Sequence, residues 1–218
     1  MLNKSNAEVL YKALLQRYPD GMRAISDLSK NTDGRPGGKK FIECPHLAFN
    51  YDLVTNCATN NGVKEKSPDA LFLDADRLHF IEFKEGQVKR IELRQKIHEA
   101  LVTLFQFAIK NNILTRDEFL ALDFRYTVVR RLQNANPMVN ALDISIDSFG
   151  LKNLEGFLIK ATDVQWAPHK ILELLSNVTN KGIRTIDYYC PQGNCSTVTT
   201  GFVAQVGRQT RLPQPQTQ

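Results

Sequence analysis

The stretch Ser67–Gly86, SPDALFLDADRLHFIEFKEG, constrains the fold of this chain more than any other. It holds two apolar runs separated by Asp74-Ala75-Asp76-Arg77, which has the composition of a turn. The pattern predicts a hairpin with strands over Ala70–Leu73 and Leu78–Lys84. Side chains alternate across a strand, so Leu78, Phe80, Glu82 and Lys84 share one face, while His79, Ile81 and Phe83 share the other. A carboxylate and an ammonium therefore leave the same side of an otherwise apolar strand, and low dielectric tolerates neither without a partner. Asp69 precedes the first strand, behind Pro68, which biases Ser67 to extended backbone. Pairing of the two strands brings Asp69 beside Glu82 and Lys84. Two hard oxygen donors are the usual protein share of a magnesium site. The competing reading of the same residues is a Glu82–Lys84 salt bridge at a strand end, with Asp69 starting a turn.

Pro68-Asp69 followed by Glu82-Phe83-Lys84, one hairpin apart, resembles the PD-(D/E)xK nuclease superfamily, including small bacterial and phage members. The resemblance covers residues 67–110. It implies a restriction-endonuclease-like α/β (α+β) core, a central mixed sheet with flanking helices. It also implies Mg²⁺ or Mn²⁺ held by Asp69, Glu82 and the Phe83 carbonyl. Lys84 would orient the attacking water, with its pKa pushed down. The implied activity is hydrolysis of nucleic-acid phosphodiesters, DNA ahead of RNA. Superfamily members often carry an acid on the first helix, a role open to Glu8. They often place a Gln, Lys or Arg on the helix after the lysine strand. Arg94, Gln95 and Lys96 are the candidates, and Arg94 is favoured because it sits one turn before Ile97. The alternative from another class is a non-catalytic module on the same fold that binds nucleic acid or a protein partner, in a phage or defence setting.

Elsewhere, apolar periodicity predicts helices over Asn6–Tyr18, Val88–Asn111 and Pro168–Asn177, and Thr115, Asp117 and Glu118 suit the start of a short helix over Thr115–Leu122. In the longest helix, Ile97, Leu101, Leu104, Phe105 and Ala108 make an apolar stripe extended by Ile91 and Leu93. Strands are expected over Phe49–Val54, Phe124–Leu132, Gly156–Thr162 and Ile183–Tyr189, with one or two strands broken at Pro45. Val139–Phe149 is ambiguous between helix and strand. A single domain over residues 1–204 and a tail over 205–218 are expected, the tail from its RLPQPQTQ ending.

The net charge of +5 permits a polyanionic partner. The loop Ser29–Lys40 is glycine-rich and basic, and Lys39, Lys40, Arg90, Arg94, Lys96 and Arg130 are the candidate phosphate contacts. Apolar runs are too short to cross a bilayer and MLNKSNAEVL has no signal-peptide core, so a cytoplasmic protein without membrane contact is expected. The cysteines are Cys44, Cys57, Cys190 and Cys195, too few for a disulfide scaffold. Cys44, His46, Cys190 and Cys195 are the candidate ligands for a structural Zn²⁺, against a reading as unrelated thiols. His79 points away from Glu82 and reads as packed or exposed.

Overall fold

A computed structural model of the chain describes residues 5–30, 41–54, 65–85, 89–131, 150–156, 158–190 and 195–200. Lys39, Lys40, the Val139–Phe149 segment and the tail over 205–218 lie outside the described residues.

The fold is a mixed α/β arrangement built on a six-stranded sheet. The hairpin forms its centre as β4 (Ala70–Asp74) and β5 (Arg77–Glu85), in antiparallel register from Ala70↔Ile81 to Asp74↔Arg77. Ala75, at the tip, takes φ 55°, the left-handed conformation that closes this two-residue loop. On one side β4 pairs with β3 (Leu47–Asn50), and β3 with β1 (Met22–Ala24), all antiparallel. On the other side β5 pairs in parallel with β6 (Asp123–Arg131), and β6 in parallel with β7 (Ile159–Gln165). A parallel neighbour needs a crossover, and α3 (Arg90–Lys110) supplies it between β5 and β6.

The predicted face alternation of β5 is what divides the core. Leu78 and Phe80 pack with Phe124, Tyr126 and Val128 of β6 under α3 and α1 (Asn6–Arg17). Ile81 and Phe83 pack on the opposite face, against Ile171, Leu172 and Leu175 of α5 (Pro168–Val178). The second face also receives a three-stranded sheet of β2 (Ile42–Glu43), β8 (Thr185–Tyr189) and β9 (Cys195–Thr199). β2 and β3 lie on either side of Pro45 but in different sheets, which accounts for the break there.

Two sequence expectations about faces are corrected. The 49–54 run is not one strand: β3 ends at Asn50 and Tyr51–Leu53 is a 3₁₀ turn, with Leu53 exposed. The Asn50 side chain accepts from Asp52 N, and Tyr51 Oη donates to Ala100 O at 2.8 Å, so these bonds turn the chain toward α3 instead of continuing the strand. Ile91 is 69% exposed and lies off the α3 stripe, which consists of Leu93, Ile97, Ala100, Leu101, Leu104 and Ala108. Thr115 and Glu118 cap the short helix α4 (Arg116–Leu120) reciprocally. Among the described residues no helix is long and apolar enough to cross a membrane.

Candidate active site: two acids and two lysines at one end of the central strands

One step beyond the Ala70↔Ile81 pair, Asp69 stands opposite Glu82 at the end of the hairpin away from its turn. The Phe83 main chain takes part through its N–H, which donates to Asp69 Oδ2 at 2.6 Å. The strand start is held by a second set of bonds. Ser67 Oγ donates to the Asp52 carboxylate, Tyr51 N–H donates to Asp69 O at 3.2 Å, and Lys66 N–H donates to Glu99 of α3 at 2.5 Å. The 3₁₀ turn at Tyr51 thus ties the Asp69 backbone to α3.

Glu82 is completely buried. Both of its oxygens accept from Lys96 Nζ, at 2.7 and 2.9 Å, and Lys84 Nζ lies 3.0 Å from Oε1. Lys96 Nζ also stands 3.9 Å from Asp69 Oδ1. Hence Asp69, Glu82 and Lys84 converge, and Lys96 of α3 joins them. Arg94 does not: its guanidinium donates to Gly150 O at 3.1 Å. Residues two apart on a helix are about 200° apart, so Arg94 and Lys96 flank the Leu93/Ile97 stripe on opposite sides.

The charges feel one another. Asp69 is pushed well above the usual carboxylate range, first by burial and then by the Glu82 charge, with Lys96, the Phe83 N–H and Lys84 pulling it back. Its side chain keeps 21% of its surface exposed, against none for Glu82. Without a metal ion Lys84 is shifted upward. Burial pulls its pKa down, but the Glu82 charge and hydrogen bond, helped by Asp69 and Glu92, outweigh burial and leave it raised. Without a cation beside it, the lysine is an ion-pair partner and stays protonated.

Tyr126 was not singled out by sequence. Its hydroxyl is buried with no hydrogen-bond partner among the described residues, and its pKa is raised by burial and then by the charges of Glu82 and Asp69. The Phe124, Tyr126, Val128 alternation is visible in sequence, but its position beside the acids depends on the parallel Phe80↔Tyr126 register. The phenol is thus a buried polar group without a protein partner among the described residues, on the same face of the sheet as the acids. Asp69 and Glu82 supply hard oxygen atoms, and Lys96 occupies both oxygens of Glu82.

The other candidates fall in several places. Glu8 pairs with Lys12 on its own helix. Arg90 is exposed, with its guanidinium against the backbone of Gly150, which has φ 57°. Arg130 stands beside Lys84 in the parallel register, at the same strand end. Its neighbour Arg131 is 1% exposed, pairs with Glu85, donates to Tyr189 O and lies 5.2 Å over the Phe41 ring, so it is internal, and Nε and Nη1 of Arg130 are buried as well.

The zinc set is not assembled. Among the described residues no three His, Cys, Asp or Glu side chains gather as a metal site. Phe41 pairs with Tyr189 and Ile42 with Tyr188, so the antiparallel register carries Cys44 away from Cys190 by roughly four residue steps, about 13 Å. Cys44 is buried, Cys190 half-buried and Cys195 exposed. Comparison with known protein families, with curated proteins and with solved structures finds no match.

Proposed function

We propose that the protein hydrolyses phosphodiester bonds in nucleic acid, DNA ahead of RNA, with Mg²⁺ or Mn²⁺, as a PD-(D/E)xK-like nuclease. The observation that carries this reading is the convergence of Asp69, Glu82, Lys84 and Lys96 at one strand end. Asp69, Glu82 and the Phe83 carbonyl would hold the ion, with Glu8 at most a peripheral contributor given its bond to Lys12. A divalent ion at such a site polarises phosphate and lowers the pKa of water. The chain's own residues do the rest. Glu82 anchors both ammonium groups and is fixed by full burial. Asp69 is fixed through the Phe83 N–H, and its other oxygen stands 3.9 Å from Lys96 Nζ. Lys84, 27% exposed, orients water or meets the developing phosphate charge. Lys96 holds the two acids at a fixed separation. Arg90, exposed at the start of α3, would meet a phosphate backbone, whereas Nε and Nη1 of Arg130, the other candidate, are buried.

A second reading rests on a specific observation: both oxygens of Glu82 are already taken by lysine. On that reading the site is a structural charge cluster, and the fold serves as a nucleic-acid- or protein-binding module. One experiment separates the two. Purified protein is incubated with supercoiled plasmid, single-stranded DNA and RNA, with Mn²⁺, Mg²⁺ or EDTA. The nuclease reading expects metal-dependent cleavage that Lys84→Ala and Asp69→Asn each reduce at least a hundredfold. No cleavage of any substrate, or cleavage that persists in both variants, removes the assignment.

A further inference from the structure

A second polar cleft lies on the opposite face of the sheet and toward the opposite strand end, at the hairpin turn. It encloses about 670 Å³ between the starts of β5, β6 and β7 and the C-terminal end of α5. That volume suits a small ligand and not a polymer. Its walls carry Arg77, Arg125, Lys152 and Lys181 against Asp74 and Asp163, an excess of positive charge.

The cations are held loosely. Arg77 is 3.8 Å from Asp74 and 3.7 Å from Asp76, and Arg125 bonds Asp123 at 3.3 and 3.4 Å. Charge-assisted contacts to guanidinium normally close to about 2.7–2.9 Å. Lys181 forms no ion pair among the described residues, whereas Lys152 is engaged by Glu155 and by Thr162 O. Asp163 is occupied by the Val164 N–H and the Gln165 amide. At the α5 terminus the Ser176 and Asn177 carbonyls are taken by Lys181 N–H and Asn180 N–H.

His79 gives the cleft a built floor. It is 7% exposed, and its Nε2 is bonded to Thr127 Oγ1 at 2.8 Å. Its Nδ1 has no protein partner among the described residues, and the residue lines the cleft. Burial, then the Arg125 charge, lowers the imidazole to about 4, with Asp163 and Asp123 opposing, so it is neutral at physiological pH. It therefore offers a directional hydrogen bond without a charge.

We propose that this cleft binds the phosphate group of a small molecule, gripped by Arg77, Arg125 and Lys181 and hydrogen-bonded by His79 Nδ1. It is a second site, separated from Glu82 by the sheet itself. The test is isothermal titration of metal-free protein with pyrophosphate in EDTA, together with ¹⁵N NMR of the His79 ring. The expected result is saturable binding at up to millimolar pyrophosphate with a shift of the Nδ1 signal. Arg125→Gln/Lys181→Gln weakens binding at least tenfold, while Lys170→Gln, outside the cleft, and Lys84→Ala leave it unchanged. Should Arg125→Gln fail to fold, Lys181→Gln alone, on an exposed side chain, carries the test with at least threefold weakening. Absence of saturable binding, an unmoved His79 signal, undiminished affinity in the cleft variants, or loss in Lys84→Ala overturns the proposal.

Discussion

Glu82→Gln and Asp69→Asn are the same chemical change at facing positions, and the structure gives them unequal effects on metal-free stability. Relief of repulsion between two acids would by itself make both amides neutral or stabilising. Glu82, however, is the only acid bonded by both lysines within 3.0 Å among the described residues. At roughly 2.8 Å and an effective dielectric of about 20, each contact amounts to roughly 6 kcal/mol of Coulomb energy, most of it offset by desolvation. Removing one partner of a buried pair typically costs about 3–5 kcal/mol. Lys84 and Lys96 retain 27% and 17% side-chain exposure and can recover some hydration, which lowers the expected cost of Glu82→Gln to about 2–4 kcal/mol. Asp69→Asn keeps an acceptor for the Phe83 N–H, loses the 3.9 Å contact to Lys96 and the weaker attraction of Lys84, and relieves the Glu82 repulsion. Its expected change is within about 1 kcal/mol of zero. The assay is urea denaturation at neutral pH in EDTA, with the linear-extrapolation slopes checked for equality. A repeat with Mn²⁺ should stabilise wild type and neither variant, by mass action on the folded state. Equal shifts in the two variants without metal would show that the lysines do not pair with Glu82 as described.

Three further outcomes test other parts of the fold. Leu104→Ala, in the buried stripe of α3, should cost about 2–5 kcal/mol, while Ile91→Ala should be nearly silent; equal effects in denaturant melts would mean the helix face is wrong. The buried neutral His79 binds its proton near pH 4 when folded and near 6.5 when unfolded, so stability is fully present above about pH 6.5. About 3 kcal/mol is lost as pH falls from 6.5 to 4, and His79→Gln should flatten that part of the profile; parallel acid profiles for the two proteins would contradict it. Ala75→Gly, at φ 55°, should stabilise the hairpin by up to about 1 kcal/mol, and a lower melting temperature would count against the turn geometry.

The sequence by itself determined the elements whose signal is local. The period-two alternation of residues 78–84 placed Glu82 and Lys84 on one face, because a strand leaves no other arrangement of its side chains. The heptad-like recurrence from Ile97 to Ala108 located α3, and the Thr115–Glu118 spacing located the cap of α4. Tertiary structure decided whatever depends on which strand lies next to which. Lys96 instead of Arg94 reaches the acids because the rotation of α3 about its axis is fixed by packing on β5 and β6, which sequence spacing leaves free by tens of degrees. Tyr126 meets them only through a parallel register set by a crossover, and Arg131 is interior because the second sheet covers its strand end. Cys44 and Cys190 are separated by an antiparallel register that no local pattern encodes, since ligand spacing along the chain carries no information about the pairing between β2 and β8.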